Sequence, residues 1–345
     1  MTARRPSRVT ICSTFSRQDF ATCWAEWLHD HGVEVDRVDL RDALAVVPAP
    51  VQRALWHTAP ALLAAVVSRD LVRRVKRFRP QLALVVGGVF VTRRAVEHVR
   101  RSAASVFHFH NEDLANRRNT TAVLRQAAPA YDHFFTTKSF NVAEWRRRGV
   151  ARVSYLPHAY RPNCHFPVPV TTYERARLGS PVAFVGTFEE ERAAQLESVQ
   201  DLGLRVWGGE WHRLALRSPL RPAVEGRAVY CEEMSRVFNA SAICLAFLRK
   251  ANRDRHTSRT FEIPACGGFQ LSERSDEIRE FFDEGVEIEC FGDTTELRDK
   301  ARFYLAHDGA RRRIAEQGLA RTRKSRYSFT DRLQDILTVY AKEPA

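Results

Sequence analysis

The sequence has no Cys-x-x-Cys pair, no long hydrophobic run and no internal repeat, and each absence excludes a class of protein. The seven cysteines are scattered, whereas a zinc cage or a disulfide framework needs clustered spacing. The longest apolar stretch, residues 59–67, is far shorter than the roughly 20 residues of a membrane-spanning helix. Residues 1–8 are basic but no apolar segment follows, so we expect no signal peptide.

The remaining composition is that of a packed protein with more than one core. A chain of 345 residues exceeds one typical core and fits two. Hydrophobic residues make up 44% and charged residues 28%, an ordinary globular balance. Most cysteines, such as Cys244 between Ile243 and Leu245, stand among apolar neighbours, which is typical of reduced core residues. We therefore expect a cytoplasmic location.

The net charge of +13 favours anionic partners: nucleic acid, acidic lipid or a phosphorylated substrate. An arginine-rich surface that is merely solvated is the alternative explanation. A nucleic-acid-binding protein would concentrate basic residues on one face among aromatic residues. The arginines here are dispersed and no helix-turn-helix or RRM signature occurs, so we expect no specific nucleic-acid partner.

Strand and helix patterns alternate in the first half of the chain. The strands predicted are 9–12, 33–40, 82–86 (followed by Gly87-Gly88), 105–110, 133–136 and 153–156. A helix with spaced apolar residues is predicted over 61–78, where Pro80 stops it. Its basic residues could bind acidic lipid headgroups or could simply be solvated; they are Arg69, Arg73, Arg74, Lys76 and Arg77, with Arg79 just beyond.

A second alternation follows the proline-rich stretch 161–179, which we interpret as an interdomain linker. Strands are predicted at 182–186, 204–207, 243–248 and 269–271, helices at 192–202, 234–240 and 262–266, and a helical tail from residue 296. Two successive α/β units predict two Rossmann-like domains with parallel sheets facing a cleft. We place them at 1–160 and 180–325, with a C-terminal helix in 326–345 returning to the first domain.

The stretch 256–269 combines hydroxyls, a guanidinium and a carboxylate ahead of a Gly-Gly turn. Arginine beside the start of a helix suits a diphosphate, and a carboxylate can accept hydrogen bonds from ribose hydroxyls. An ordinary capped helix with a surface Arg–Glu pair is the alternative. Pro264 predicts that this helix begins late or is kinked. The candidate residues are His256, Ser258, Arg259, Thr260 and Glu262.

Two strand ends supply further candidates. Gly186 and Thr187 follow the predicted strand 182–186 and precede Arg192, so glycine would permit close approach of a phosphate that arginine neutralises. A plain strand-end turn is the alternative. Gly208 follows Trp207 at the end of the next strand and could flank a nucleotide base, or Trp207 could be a core residue before a turn.

In the first half, a polar loop begins where strand 105–110 ends, and ligands of open α/β sheets bind at that end. His110, Glu112 or Asp113 could take a proton from an acceptor hydroxyl, and His110 and Asp113 are the favoured candidates. His108 and His110 share one face of the strand, so both could instead be core histidines or, less readily, bind a metal. His158 is a weaker candidate.

Residues 259–269, RTFEIPACGGF, closely resemble the signature of CgeB-type glycosyltransferases. The likeness continues through 278–285, 291–305 and 314–332, and upstream through 184–187 with Arg192 and 155–159. It covers the C-terminal half well and the first 100 residues only in pattern. The resemblance implies a bacterial enzyme of GT-B fold that binds a nucleotide-sugar donor in its C-terminal domain and an acceptor in its N-terminal domain, with no metal or other cofactor.

The resemblance also implies residue roles. Glu262 matches the second acid of the Glu-x7-Glu motif of related retaining enzymes, where it holds the donor ribose. Asp254 stands where the first Glu would be, which leaves the sugar contact to Asp254, to His256 or to neither. The spacing favours retention of the anomeric configuration. A non-catalytic sugar-nucleotide sensor of the same fold is the alternative. The acceptor could be a small molecule, a glycan, a lipid-linked molecule or a protein, and the enzyme could contact the acidic inner membrane face peripherally.

Overall fold

The computed structural model describes residues 4–16, 19–87, 90–103, 105–117 and 119–343, and of His57 only the backbone. Gly88, predicted in a strand-end turn, lies outside the described residues. The chain forms two compact units, one of Met1–Pro157, Ala251–Arg253 and Phe329–Ala345, the other of His158–Lys250 and Asp254–Ser328. The assignment of one domain to the acceptor and the other to the donor stays a prediction.

The first unit contains a six-stranded parallel sheet in the order β2-β1-β3-β4-β5-β6. Every residue of β3, β4 and β5 is buried, as expected of central strands covered on both faces. The strands are β1 (Arg8–Ser13), β2 (Glu34–Asp39), β3 (Leu82–Val86), β4 (Ser105–His110), β5 (His133–Thr136) and β6 (Val153–Tyr155).

Helices pack on this sheet, and polar side chains begin several of them. Asp19, Thr92 and Thr121 each accept a hydrogen bond from a first-turn amide, which stabilises the helix start. The helices are α1 (Phe20–Asp30), α2 (Leu40–Leu44), α3 (Ala49–Thr58), α4 (Pro60–Phe78), α5 (Arg93–Arg100), α6 (Ala122–Ala127) and α7 (Ser139–Arg147).

The second unit has a five-stranded parallel sheet in the order β11-β10-β9-β7-β8. The strand β7 has β8 on one side and β9 on the other, so successive connections diverge at its carboxyl end. The strands are β7 (Val182–Val185), β8 (Leu204–Trp207), β9 (Ile243–Ala246), β10 (Gln270–Glu273) and β11 (Glu289–Phe291). The parallel sheets agree with the predicted α/β class.

The helices of the second unit include one in the stretch interpreted as a linker. Residues 161–179 belong to this unit and carry α8, which begins with a capping box between Thr171 and Glu174. The helices are α8 (Thr172–Leu178), α9 (Glu190–Glu197), α10 (Cys231–Ala240), α11 (Arg259–Ala265), α12 (Asp276–Phe281), α13 (Thr294–Ala306) and α14 (Asp308–Lys324). A last helix, α15 (Phe329–Ala341), packs on α1 in the first unit, where Phe329 stacks on Phe20.

The helix around Pro264 differs from the prediction. It begins at Arg259 rather than at Glu262, and Pro264 is its sixth residue. Proline lacks the N–H that would continue the helical hydrogen bonds, but the helix ends one residue later, so that loss falls in its last turn. The amides of Gly267 and Gly268 then donate to the carbonyls of Pro264 and Ile263.

The cysteine expectation was wrong at one pair. Cys164 and Cys231 form a disulfide, although their separation of 67 residues gives no local spacing signal. The other five cysteines are free and buried, as expected of core thiols. No helix in the described residues is both long enough and apolar enough to span a membrane.

Candidate functional site

The carboxyl edge of the second sheet gathers most of the predicted donor-binding residues. In open α/β sheets, ligands bind where neighbouring strands send their connections to opposite sides. Here that point lies between β7 and β9. Gly186 and Thr187 directly follow β7, and the ion pair of Arg259 and Glu262 lies beside its last residue, because Arg259 Nε donates to the Val185 carbonyl at 3.0 Å.

Arg259 and Glu262 lie one helical turn apart on α11, with Arg259 Nη1 donating to Glu262 Oε2. Glu262 is buried, while about a quarter of the Arg259 side chain is exposed. The Arg259–Glu262 pair is therefore not an exposed surface ion pair, which was the alternative interpretation of this stretch of sequence. It ties α11 to the end of β7 and leaves part of the Arg259 side chain accessible.

His165 was missed by the sequence analysis. Its Nε2 lies 3.7 Å from Glu262 Oε1, and its Nδ1 accepts a hydrogen bond from the Arg161 amide at 3.0 Å. Burial lowers the pKa of this histidine, which favours the neutral ring. Because Nδ1 accepts a hydrogen bond, the proton of the neutral ring lies on Nε2, facing Glu262. The position falls in the proline-rich stretch interpreted as a linker, where no periodicity marked it.

Arg192 supports the loop after β7. Its Nη1 donates to the Thr187 carbonyl at 2.6 Å, and its guanidinium lies over the Phe184 ring at 5.3 Å. Burial lowers its pKa, with the charge of Glu189 opposing that shift. The Nε atom is buried and has no hydrogen-bond partner among the described residues. Arg192 is thus mainly a loop-holding cation that keeps one free donor.

Further charges surround Arg192. Glu189, Arg249, Arg259 and Asp254 all act electrostatically on its guanidinium. Arg249 Nε donates to Glu189 Oε1 at 2.8 Å, and the Asp254 amide donates to the Arg249 carbonyl at 3.1 Å. The structure therefore brings Asp254, predicted as the first acid, into the same charged cluster as two of the predicted phosphate-binding arginines.

Gly208 is required by backbone packing. A Cβ at this position would lie 1.9 Å from the Gly186 carbonyl oxygen, and the residue has φ +152°. Trp211 Nε1 donates to the same oxygen at 2.9 Å. Trp207 is fully buried, so it is a core residue before a turn, the second of the two interpretations of this strand end. Gly208 contributes to the site by fixing Gly186.

His256, Ser258 and Thr260 hold the approach to α11. His256 is buried, with Nδ1 2.7 Å from Glu277 Oε2 and Nε2 accepting from the His158 amide at 3.0 Å. Ser258 Oγ lies 3.3 Å from Nδ1 of His158, and Thr260 Oγ1 accepts from the Thr257 amide. Both ring nitrogens of His256 are engaged, so its observed role is to position the chain before α11.

In the first unit, His110 faces the interior at the end of β4. Its Nε2 lies 2.9 Å from the Thr120 hydroxyl, which itself donates to the Asp113 carbonyl, so Nε2 carries the proton. Burial lowers the pKa of His110 to about 3, with the Lys138 charge adding to the effect. The remaining Nδ1 is buried, and no described residue forms a hydrogen bond with it. In this arrangement the lone pair on Nδ1 is buried.

Asp113 is also engaged. Arg253 binds its two carboxylate oxygens through Nε and Nη2 at 2.6 and 2.7 Å, and Asn252 accepts from its amide at 2.9 Å. Burial raises the pKa of Asp113, but the hydrogen bonds from Arg253 and the Ala115 amide outweigh it and lower the pKa. A carboxylate so stabilised is a weak base. Among the described residues no group of three or more His, Cys, Asp or Glu could hold a metal ion, and metal independence stays a prediction.

A groove of about 930 Å³ lies in the second unit, at the amino edge of its five-stranded sheet. Pro181, Ala242 and Phe269, which line it, directly precede β7, β9 and β10. None of the predicted donor-binding residues contributes to it. The predicted donor-binding residues and this groove therefore lie at different edges of the sheet. The charged groups favour the carboxyl edge as the ligand site.

Residues 190–338 match a family model described as glycosyl transferase-like. This region includes Arg192, Asp254, Arg259 and Glu262 but not Gly186 or Thr187. No curated protein is a significant match to the chain.

Solved structures resemble the whole chain in fold. Sucrose-phosphate synthase from Thermosynechococcus elongatus superposes with a TM-score of 0.71 at 13% identity, covering 97% of this chain and 98% of that one. Anabaena Alr3699/HepE in complex with UDP-glucose gives 0.63 at 11% identity, covering 97% and 100%. A glycosyltransferase from Rickettsia africae gives 0.63 at 8% identity, covering 96% and 97%. The fold is GT-B, which confirms the predicted class of two Rossmann-like units with parallel sheets.

Proposed function

We propose that this protein is a glycosyltransferase that moves a sugar from a nucleotide-sugar donor to a hydroxyl or similar nucleophile of an acceptor. The observation that carries the proposal is the Arg259–Glu262 pair at the carboxyl edge of the second sheet, inside the region that matches the glycosyl transferase-like model. Arg259 and Arg192 would face the diphosphate, and Glu262 would accept hydrogen bonds from the ribose.

The chemistry follows from these charges. In the transfer, the bond from the anomeric carbon to the diphosphate oxygen breaks, and a bond to the acceptor oxygen forms. The leaving nucleoside diphosphate gains negative charge, which Arg192 and Arg259 would stabilise in place. The acceptor proton must leave as well. His110 and Asp113 are the proposed bases, and each would first have to leave its present partner, Thr120 or Arg253.

Finer features of the reaction are part of the same proposal. The motif over 259–269 favours a CgeB-type enzyme, acting without a metal. Asp254, in the charged cluster around Arg192, is the proposed contact for the donor sugar, and its spacing to Glu262 favours retention. UDP-glucose in complex with Anabaena Alr3699/HepE makes UDP-sugars the first donors to test.

Nucleotide binding to single variants tests the site. We expect UDP, GDP, TDP or CDP, or a sugar derivative of one of them, to raise the melting temperature of the full chain. Arg259→Ala and Glu262→Gln should each weaken binding of that nucleotide about 10–100-fold, which corresponds to the loss of one charge-assisted hydrogen bond. Calorimetric titration measures the loss. Glu262→Gln keeps the side-chain volume, which guards against a mere folding defect.

Asp308→Ala and Arg312→Ala are the matched controls. These residues form an exposed ion pair on α14 and line the groove at the opposite edge of the sheet. They should bind nucleotide as the parent does. Loss of binding in the controls with full binding in the site variants would place the nucleotide in that groove and refute the assigned site.

A non-catalytic sugar-nucleotide sensor is the second candidate, because Asp254 replaces the Glu that the motif would have at this position. Release of nucleoside diphosphate from the bound donor separates the two. An enzyme turns the donor over, at least slowly onto water, whereas a sensor binds it and leaves it intact.

A further inference from the structure

A shallow groove of about 890 Å³ runs between α4 and α5 in the first unit. Its floor is apolar, formed by Ala65, Val72 and Ala95. Its rim is cationic and carries Arg69, Arg73, Lys76, Arg77 and Arg94. The proposed glycosyl transfer uses none of these residues, so the groove needs an explanation of its own.

Most of these cations lack a partner among the residues that the structure describes. Arg73 pairs with Asp70 on the same helix. The side chains of Arg69, Lys76, Arg77 and Arg94 are exposed and make no hydrogen bond or ion pair with any residue that the structure describes. A concentration of uncompensated positive charge attracts an anionic partner.

The apolar part of this surface lies at the other end of α4. Leu62 is 57% exposed, and Trp56, near the end of α3, is 44% exposed. The Trp56 ring packs edge-to-face on the Phe90 ring, with 4.7 Å between the two ring centroids. Leu62 and Arg69 are two turns apart, so they share one face of α4, with Ala65 between them.

We propose that this basic–apolar face, formed by Trp56, Leu62 and the cationic rim of the groove, docks on a bilayer that contains anionic lipid. Trp56 and Leu62 would enter the boundary between headgroups and acyl chains. Both side chains would be stabilised there, because their apolar surface leaves water. The four unpaired cations would lie over lipid phosphates. A nucleic acid would instead need exposed aromatic side chains interleaved with the cations. Here the exposed aromatic side chain, Trp56, is on α3 whereas the cations are on α4 and α5, and Phe78 at the end of α4 is covered by the Arg8 guanidinium at 4.4 Å.

Vesicle co-sedimentation of the full chain tests this surface. We expect binding to vesicles of phosphatidylglycerol mixed with phosphatidylcholine, weakening with added salt, and none to pure phosphatidylcholine. The variant with Arg69→Gln, Lys76→Gln, Arg77→Gln and Arg94→Gln should bind more than about a hundredfold more weakly, because each cation near an anionic surface contributes about a fivefold factor. Leu62→Ser should weaken binding about tenfold by losing apolar contact with the lipid.

A charge-matched variant controls for the overall charge. Arg302→Gln, Arg313→Gln, Arg323→Gln and Lys324→Gln remove three arginines and one lysine from exposed positions on α13 and α14. This variant should keep its affinity for the vesicles. Equal losses in both quadruple variants, no dependence on phosphatidylglycerol, or an unchanged Leu62→Ser variant would each overturn the proposal. So would duplex DNA or RNA binding more tightly than the vesicles and losing affinity only with the groove variant. None of these measurements involves nucleotide, so they fail or succeed independently of the proposed transferase activity.

Discussion

Replacing Gly208 with alanine should damage the second unit far more than the same change one residue later. A Cβ at Gly208 would lie 1.9 Å from the Gly186 carbonyl oxygen, 2.6 Å from its carbonyl carbon and 3.1 Å from Trp211 Nε1. Two of those atoms belong to backbone, which cannot rotate away as a side chain would. At Gly209 an added Cβ meets nothing within 4 Å.

Three costs add up for Gly208→Ala. Holding a residue with a Cβ in this backbone region costs about 1–3 kcal/mol. Forcing an extra methyl group into close packing costs about 1–3 kcal/mol more. If the Gly186 carbonyl moves to make room, the hydrogen bond from Trp211, now 2.9 Å long, is lost at about 1 kcal/mol. A total near 5 kcal/mol would lower the melting temperature by about 10–20 °C at about 2–4 °C per kcal/mol.

Thermal and urea unfolding of the parent, Gly208→Ala and Gly209→Ala measure this difference directly. The loop of Gly186 and Thr187 is part of the proposed diphosphate site, so Gly208→Ala should also weaken nucleotide binding, measured below the melting range. If Gly208→Ala melts with the parent or with Gly209→Ala, the close approach of the two strand-end loops is not present in solution, and the geometry given for the site is refuted.

Two further predictions concern the first unit. His110 has a pKa of about 3 against an ordinary value near 6.5, so the unfolded chain binds its proton first and stability falls as the pH drops below about 6.5; at pH 5 this amounts to about 2 kcal/mol relative to pH 7.5. Urea unfolding at both pH values should therefore give a smaller difference for His110→Gln than for the parent, and an unchanged difference would contradict the buried, neutral ring. Arg253→Ala leaves the buried Asp113 carboxylate without its bidentate partner and should lower the free energy of unfolding by about 1–3 kcal/mol. Arg213→Ala, whose partner Glu210 is exposed, should cost under about 1 kcal/mol, and equal losses in the two variants would contradict this account.

The sheet architecture could be predicted because its signal is local. The strands β3, β4, β5 and β8 have the predicted bounds, since buried strands of parallel sheets are short apolar runs between polar turns. The start of α11 could not be placed, because the rule against proline in a helix does not say how soon after Pro264 the helix ends. Local pattern therefore fixes where elements exist better than where they begin.

The partners of the candidate residues could not be predicted, because they come from distant parts of the chain. Asp113 meets Arg253 across 140 residues, and Cys164 meets Cys231 across 67. His165 and Glu262 are also far apart in sequence, by about a hundred residues. The sequence marks which side chains can do chemistry, but only the fold decides which of them is already occupied by a neighbour.

That distinction separates the two carboxylates considered for chemistry. Both oxygens of Asp113 receive hydrogen bonds from Arg253, so the group is satisfied where it stands. Glu262 receives one from Arg259, while its other oxygen lies 3.7 Å from His165 Nε2, beyond hydrogen-bond length.

The Nε2 of His165 and the Nε of Arg192 are both buried without a hydrogen-bond partner in the described part of the chain. A buried polar atom left unsatisfied costs about 1–3 kcal/mol. These two atoms, and the Glu262 carboxylate with only one oxygen hydrogen-bonded by Arg259, belong to the residues around the end of β7 and the start of α11. A polar, anionic ligand bound there would satisfy them, whereas none of these residues lines the groove at the amino edge. For this reason the proposed nucleotide site is placed at the carboxyl edge.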